Sequence, residues 1–228
     1  MSKRYFTSKL FGFLRELAEN NDREWFKAHQ DEYEQYVREP ALEFITDFAV
    51  PLKKISENFV ADSRTVGGSL FRIQRDTRFS KDKTPYKLNT GMQFRHRAGK
   101  DAHAPGFYMH LQPGECFVGV GLWRPESKVA YLIRDAIADD PTRWKRVTRS
   151  KRFTEAFEMG GDSLQRPPRG FGAEHPLLED LKRKDFIAST PVTQKSITSD
   201  HFMEDFTDLC KRSAPFMRFL CDAVGVPF

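Results

Sequence analysis

Cysteine is scarce in this chain and its apolar runs are short. Only three cysteines occur among 228 residues, Cys116, Cys210 and Cys221. An odd number without close pairing argues against a disulfide framework and against a cysteine-built zinc site. They read as reduced, buried small residues; Cys210 and Cys221 lie about three helical turns apart and share one face of any continuous helix. No apolar run approaches the ~20 residues of a membrane span, and 30% of residues are charged, so the expectation is a soluble protein with no membrane partner. Met1-Ser2-Lys3-Arg4 is basic, but Tyr5-Phe6-Thr7-Ser8-Lys9 brings neither a long apolar segment nor a small-residue cleavage site. No secretory signal is expected, and the location reads as cytoplasmic.

Catalytic signatures are missing as well. There is no Gly-x-Ser-x-Gly elbow, Walker loop, dinucleotide fingerprint, kinase set, zinc-deaminase signature or His-Glu-x-x-His, so the commonest enzyme classes have no positive support and no cofactor or metal is expected. Whether the chain is an enzyme stays open. His96, His103 and His110 stand seven apart, but the loop-like Ala98-Gly99-Lys100-Asp101-Ala102 between them gives no regular geometry, and the spacing reads as coincidence. His110 alone is retained as a candidate, because it falls on an expected strand between Tyr108 and Gln112.

Aromatic residues are abundant: 21 Phe in a chain 39% hydrophobic imply an aromatic-rich core, and a chain of this length buries roughly 70% of its unfolded surface. The 37 Lys and Arg against 32 Asp and Glu leave +5, a basic excess that permits an anionic ligand without demanding nucleic acid.

Helical periodicity dominates residues 6–59. Thr7 caps a first helix carrying Leu10, Phe13, Leu14 and Leu17 to about Glu19, with Phe6 placed to staple against Phe11. Asn20-Asn21 breaks it. Asn21 and Glu24 form a capping-box-like start for a second helix with Trp25, Phe26, His29, Tyr33, Tyr36 and Val37. That aromatic stripe either lines a pocket or packs a core face. Pro40 opens a third helix, which Pro51 should kink or restart. Residues 69–123 are mainly strand-like: Ser69 to Ile73, Asn89 to Arg95, Gly106 to Gln112 and Cys116 to Leu122, the last two joined by Pro113-Gly114. Gly119 and Gly121 read as strand glycines that something packs against closely, not as a phosphate loop.

Residues 125–228 return to helix. Pro125 or Glu126 opens one, Asp140-Pro141 caps the next, Leu177 to Leu181 makes a short one, and Ser199 to Cys210 with Ala214 to Val224 close the chain. Phe186 to Val192 is a possible last strand. The expectation over 1–228 is a single α+β domain with N-terminal helices, a central antiparallel meander of about four to five strands, and C-terminal helices packed on it. Oligomeric state is not legible.

The densest chemistry lies in Arg75-Asp76-Thr77-Arg78-Phe79-Ser80-Lys81-Asp82-Lys83-Thr84-Pro85-Tyr86-Lys87, with five cations, two acids and several hydroxyls in thirteen residues. Guanidinium forks and lysine point charges suit phosphate or carboxylate, and the aspartates can hold those cations in place. A small anionic ligand would draw on Arg72, Arg75, Arg78, Ser80, Lys81, Lys83, Tyr86 and Lys87, joined by Asn21, Arg23, Trp25, Trp123 and Arg124. In an enzyme, Asp76, Asp82 or His110 would be the candidate catalytic groups, with Arg75, Arg78 and Lys83 stabilising charge. Two alternatives remain. A nucleic-acid-binding module would combine this loop with the six cations between Arg143 and Arg152, although Trp144, Val147, Phe153 and Phe157 also make that run the outer side of amphipathic helices. A non-catalytic interaction domain would use the charges only to lock the loop.

The run from Arg72-Ile73-Gln74 through Lys87, with Asn20-Asn21-Asp22-Arg23-Glu24-Trp25-Phe26 upstream, resembles the bacterial family catalogued as domain of unknown function 2461. Further matching pieces are Gly106-Phe107-Tyr108-Met109-His110-Leu111, Gly119-Val120-Gly121-Leu122-Trp123-Arg124-Pro125 and Lys184-Asp185-Phe186, so the likeness covers nearly the whole chain. It implies a shared fold and no reaction, and it carries over no catalytic residue.

Overall fold

The first two helices begin where a side chain satisfies their leading amides. Residues 2–99 and 104–228 are described by a computed structural model; His103 lies outside them. Thr7 caps α1 (Ser8–Glu19), its hydroxyl accepting from the Lys9 amide, and Leu10, Phe11, Phe13, Leu14 and Leu17 are buried on one side. α2 (Arg23–Ala28) and α3 (Gln30–Tyr33) lead through a π-helical turn (Glu34–Arg38) into α4 (Glu39–Ile55), whose first turn holds Pro40. Pro51 does not restart a helix: α4 runs through it to Ile55. Its missing amide donor is offset by the packing of Phe44, Ile45, Phe48 and Leu52 on both sides of it.

The sheet comprises β1 (Thr90–Arg95), β2 (Gly106–Gln112) and β3 (Glu115–Leu122), followed after α5 (Ser127–Asp139), α6 (Pro141–Arg149) and α7 (Lys151–Thr154) by β4 (Glu158–Gly160). α8 (Leu178–Leu181) precedes β5 (Phe186–Pro191), and α9 (Gln194–Ile197) and α10 (Phe202–Ala223) end the chain. Strand order is β1-β2-β3-β5-β4, every neighbour antiparallel. The first three strands are the expected meander, and Gly114 makes its tight turn at φ 82°. Sequence patterning misses β4, which at three residues is too short to show a period.

Two further expectations change. Ser69 to Ile73 is not a strand; it lies along β1 through the single bridge Leu70 to Met92, with the Phe71 amide donating to Gly91 O at 2.9 Å and the Gln93 amide to Ser69 O at 2.8 Å. The closing helices are one: α10 passes through Pro215 without interruption, bearing Phe206, Cys210, Phe216, Phe219 and Cys221 among its buried residues.

Alternation within each strand sends Met92, Phe94, Phe107, Met109, Leu111, Val118, Val120, Phe186 and Ala188 to one side, all buried, under α4 and α10. Phe48, Phe94 and Phe206 meet there with ring centroids 4.7 to 5.7 Å apart. The opposite side of the sheet carries half-buried Tyr108, His110, Gln112 and Phe117. A single hydrophobic core runs from Tyr5 to Cys221. No helix among the described residues is long and apolar enough to cross a membrane.

Of the paired strand glycines, only Gly121 is forced. It sits at φ 119°, and a β-carbon there would stand on the Phe186 carbonyl; at Gly119 a β-carbon would come no nearer than 3.7 Å to the Phe117 and Tyr108 side chains, an ordinary contact. Gly121→Ala should therefore cost about 3 kcal/mol or more and Gly119→Ala less than about 1 kcal/mol, read as the difference in urea midpoints; equal costs would refute this assignment.

Candidate anion-binding cleft

The charged loop is closed at its base before any of its charges act. Gln74 bridges Tyr86, the Arg75 amide donates to Pro85 O and the Lys87 amide to Ile73 O, both at 2.8 Å. A second fastening comes from the helical block. The Asn21 side chain donates to Tyr86 O at 3.0 Å and accepts from the Tyr86 amide at 3.1 Å, reproducing with one carboxamide the pairing of a strand neighbour. The Tyr86 ring stacks on Phe26 of α2 at 4.1 Å, and both rings are buried. Asn21 is free for this because the cap of α2 is Asp22, not Asn21: Asp22 Oδ1 accepts from the Glu24 and Trp25 amides, each at 2.9 Å.

Within the loop the charges pair locally. Arg75 reaches Asp82 and the Thr84 hydroxyl. Asp82 Oδ1 also accepts from the Thr84 amide at 2.9 Å and hydroxyl at 2.8 Å. Asp76 takes the Arg78 guanidinium at 2.9 and 2.6 Å and its amide at 3.2 Å. Lys83 Nζ donates to Thr77 O at 2.8 Å and Lys87 Nζ to Arg72 O at 2.7 Å. The Arg78 side chain and then its amide hold Asp76 at about 2, and the Thr84 amide, Arg75 and the Thr84 hydroxyl hold Asp82 at about 2. Carboxylates so acidic are weak proton acceptors near neutrality and are suited to anchoring cations. Burial, then Arg72, lowers the Lys87 pKa.

Loop and helical turn together bound a cleft of about 820 Å³. Asn21, Arg23, Arg75, Lys83 and Tyr86, singled out in the sequence, line it; so do Gln74, Thr77, Thr84 and the acids Asp22 and Glu24, which sequence reasoning did not select. The local signal for Thr84 was the Asp82-Lys83-Thr84 spacing of an Asx turn. Arg72, Arg78, Ser80, Lys81 and Lys87 belong to the loop without lining the cleft. Phe79, at the loop tip, is 96% exposed beside Arg78.

The remaining candidates lie elsewhere. Trp25 turns to the core side, stacked on His29 at 4.1 Å and 5.7 Å from Phe13. His110 sits on the side of the sheet away from the main core, stacked on Phe117 at 4.7 Å, with Nδ1 3.0 Å from the Tyr108 hydroxyl and Nε2 3.3 Å from Gln112 Oε1. Burial lowers its pKa, against Gln112 and Glu115. Trp123 and Arg124 stack on each other, and Arg124 lines a different cleft. His96 is buried, its Nε2 2.7 Å from Pro227 O. Among the described residues no group of His, Cys, Asp and Glu is arranged to hold a metal ion.

The family model described as Conserved hypothetical protein (DUF2461) matches residues 9–219. Neither a curated protein nor a solved structure matches the chain.

Removing the Asn21 clamp should loosen the loop specifically. Asn21→Ala should cost about 1–3 kcal/mol, the order expected for two backbone hydrogen bonds left unmade, and should speed amide exchange from Arg75 to Lys87 while β2 stays protected; unchanged loop exchange would refute the clamp. The carboxylates give a pH signature. Because their folded pKa is depressed, their pairing stabilises the loop above the ordinary carboxylate value and is lost as pH falls through about 2. Carboxyl carbon NMR should place both midpoints near 2, and ordinary values near ~4 would mean the pairs do not hold in solution.

Proposed function

The chain belongs to the DUF2461 family, which supplies a fold and no reaction, and on that premise we propose that it binds a small anionic molecule in the cleft between the 21–24 turn and the 74–86 loop. The observation that carries this is convergence: residues more than fifty positions apart, Arg23 from one segment and Arg75 and Lys83 from the other, line one cavity with Thr77 and Thr84. The lining sets three cations against Asp22 and Glu24, and Asp82 meets Arg75 from outside it, so the little positive charge left complements a carboxylate monoanion better than a phosphate dianion. The ligand would draw Lys83 off a neutral carbonyl, an exchange of a neutral acceptor for a charged one. Arg75 would stay held by Asp82 and Thr84 as a fixed donor.

One observation favours a second reading, a non-catalytic domain whose charges only lock the loop: both aspartates are satisfied internally, Asp76 by Arg78 and Asp82 by Arg75 and Thr84. Exposure limits what such pairs contribute, since the Arg78 and Asp82 side chains are 77% and 57% accessible. The nucleic-acid reading gains no comparable support. In the 143–152 run Arg143 faces Asp222, Arg149 faces Asp180 and Lys151 faces Glu155, while Trp144, Val147 and Phe153 are core.

A thermal-shift series of small carboxylates and phosphates at low and high salt separates these. A carboxylate should raise the melting temperature by mass action, and Lys83→Ala should weaken that ligand about tenfold without moving the unliganded transition. If no small anion shifts the protein, or Lys83→Ala leaves affinity unaltered, the cleft is not a carboxylate site. A shift only with oligonucleotides, vanishing in salt, would transfer the reading to nucleic acid.

A further inference from the structure

A second cleft, of about 660 Å³, opens between the start of α5, the 162–169 loop and the residues leading into β5. Its frame is set by Asp185, which is 3% exposed. Asp185 Oδ1 accepts from the Arg124 amide and Oδ2 from the Asp162 amide, each at 2.8 Å, so one carboxylate fastens two walls. Both walls are bent to meet it: Arg124 adopts φ 47°, and Gly161, at φ 90°, leaves room that a β-carbon would take from the Asp185 side chain. Asp185 is thus committed to backbone amides.

The cations are not balanced in the same way. Arg134, 8% exposed, lines the cleft and donates to two neutral oxygens, Leu181 O at 2.7 Å and Arg183 O at 2.6 Å. Among the described residues no carboxylate pairs with it, and burial lowers its pKa. A buried guanidinium that meets only carbonyls keeps its full charge in a poorly solvated place, and a bound anion is the partner that relieves it. Arg124, Arg169 and Lys184 line the same cleft, with Arg124 held over the Trp123 ring at 4.7 Å. Ser127 of α5 also faces it, and Glu126 offers that helix no side-chain cap. Four cations against Asp162 and Asp185 leave two positive charges. Tyr131, 44% exposed, and Leu164 supply an apolar wall.

We infer that this cleft is a second ligand site, distinct from the one between the 21–24 turn and the 74–86 loop, and that it takes a phosphate monoester: the dianion on Arg134, Arg124, Arg169 and Lys184, the organic group against Tyr131 and Leu164. Two charges on the ligand match the two left on the lining, and the apolar wall distinguishes an ester from free phosphate.

Isothermal titration calorimetry of the full chain at fixed ionic strength, with phenyl phosphate and with inorganic phosphate, tests it. Arg134 also tethers α8, so the variants are the exposed Arg169→Ala, Lys184→Ala pair, with Lys83→Ala as control for the other cleft. Phenyl phosphate should bind at one site and more tightly than inorganic phosphate, and the double variant should weaken it about tenfold or more while Lys83→Ala leaves it unchanged. No heat with phenyl phosphate, equal affinity for the two probes, or an undiminished double variant would overturn the site. Loss of binding in Lys83→Ala would overturn it too, and would transfer the ester to the first cleft.

Discussion

Three parts of the chain far apart in sequence are held by one aromatic contact. Phe48 of α4, Phe94 of β1 and Phe206 of α10 meet edge to face or tilted within 4.7 to 5.7 Å, so the N-terminal helices, the sheet and the final helix share a single seam. Such ring pairs contribute beyond the area they bury, and their geometry fixes how the layers sit. Phe44 extends the seam to Phe6 and Phe202, and Phe216 carries the aromatic packing on to Trp144 and Phe153. With α4 and α10 packed on one side of the sheet, polar chemistry is left to the segments that join the layers.

Both clefts follow from that arrangement, and each is built by one polar side chain acting on backbone. Asn21 fixes the charged loop by imitating a strand partner for Tyr86; Asp185 fixes the second cleft by drawing together the Arg124 and Asp162 amides. The cations around them are mostly exposed and individually contribute little to stability. Fixing the backbone first and leaving charged side chains at the rim keeps those side chains available to exchange partners.

Elements with a full period and a clear cap were legible in the sequence: Thr7 before α1, Asp140 before α6, the meander turn at Gly114 and the strand Gly106–Gln112. Readings failed where tertiary packing overrides local preference. Pro51 suggests a restart and residues 211–213 a gap between two closing helices, yet α4 and α10 run on through both with their buried faces unbroken. Asn21 and Asp22 are both good caps, and only the position of Tyr86 decides which one caps α2. The charged loop was visible as a dense run, but its pairing with the 21–24 turn is a contact across 65 positions that no local pattern encodes. The second cleft was less legible still, because Arg134 reads as an ordinary residue of an amphipathic helix until its burial is known.

The stretch from Ser69 to Phe71, too sparsely paired to count as a strand, settles what becomes of the outer margin of β1. Together with residues 58–60 it occupies the hydrogen-bonding groups there: the Val60 amide donates to Arg95 O, the Gln93 amide to Ser69 O and the Phe71 amide to Gly91 O. At the far margin β4 is three residues long. Neither boundary of the sheet offers a long unpaired ladder to a second molecule, so the fold carries a built-in resistance to edge-to-edge aggregation, gained from a covering segment at one end and brevity at the other.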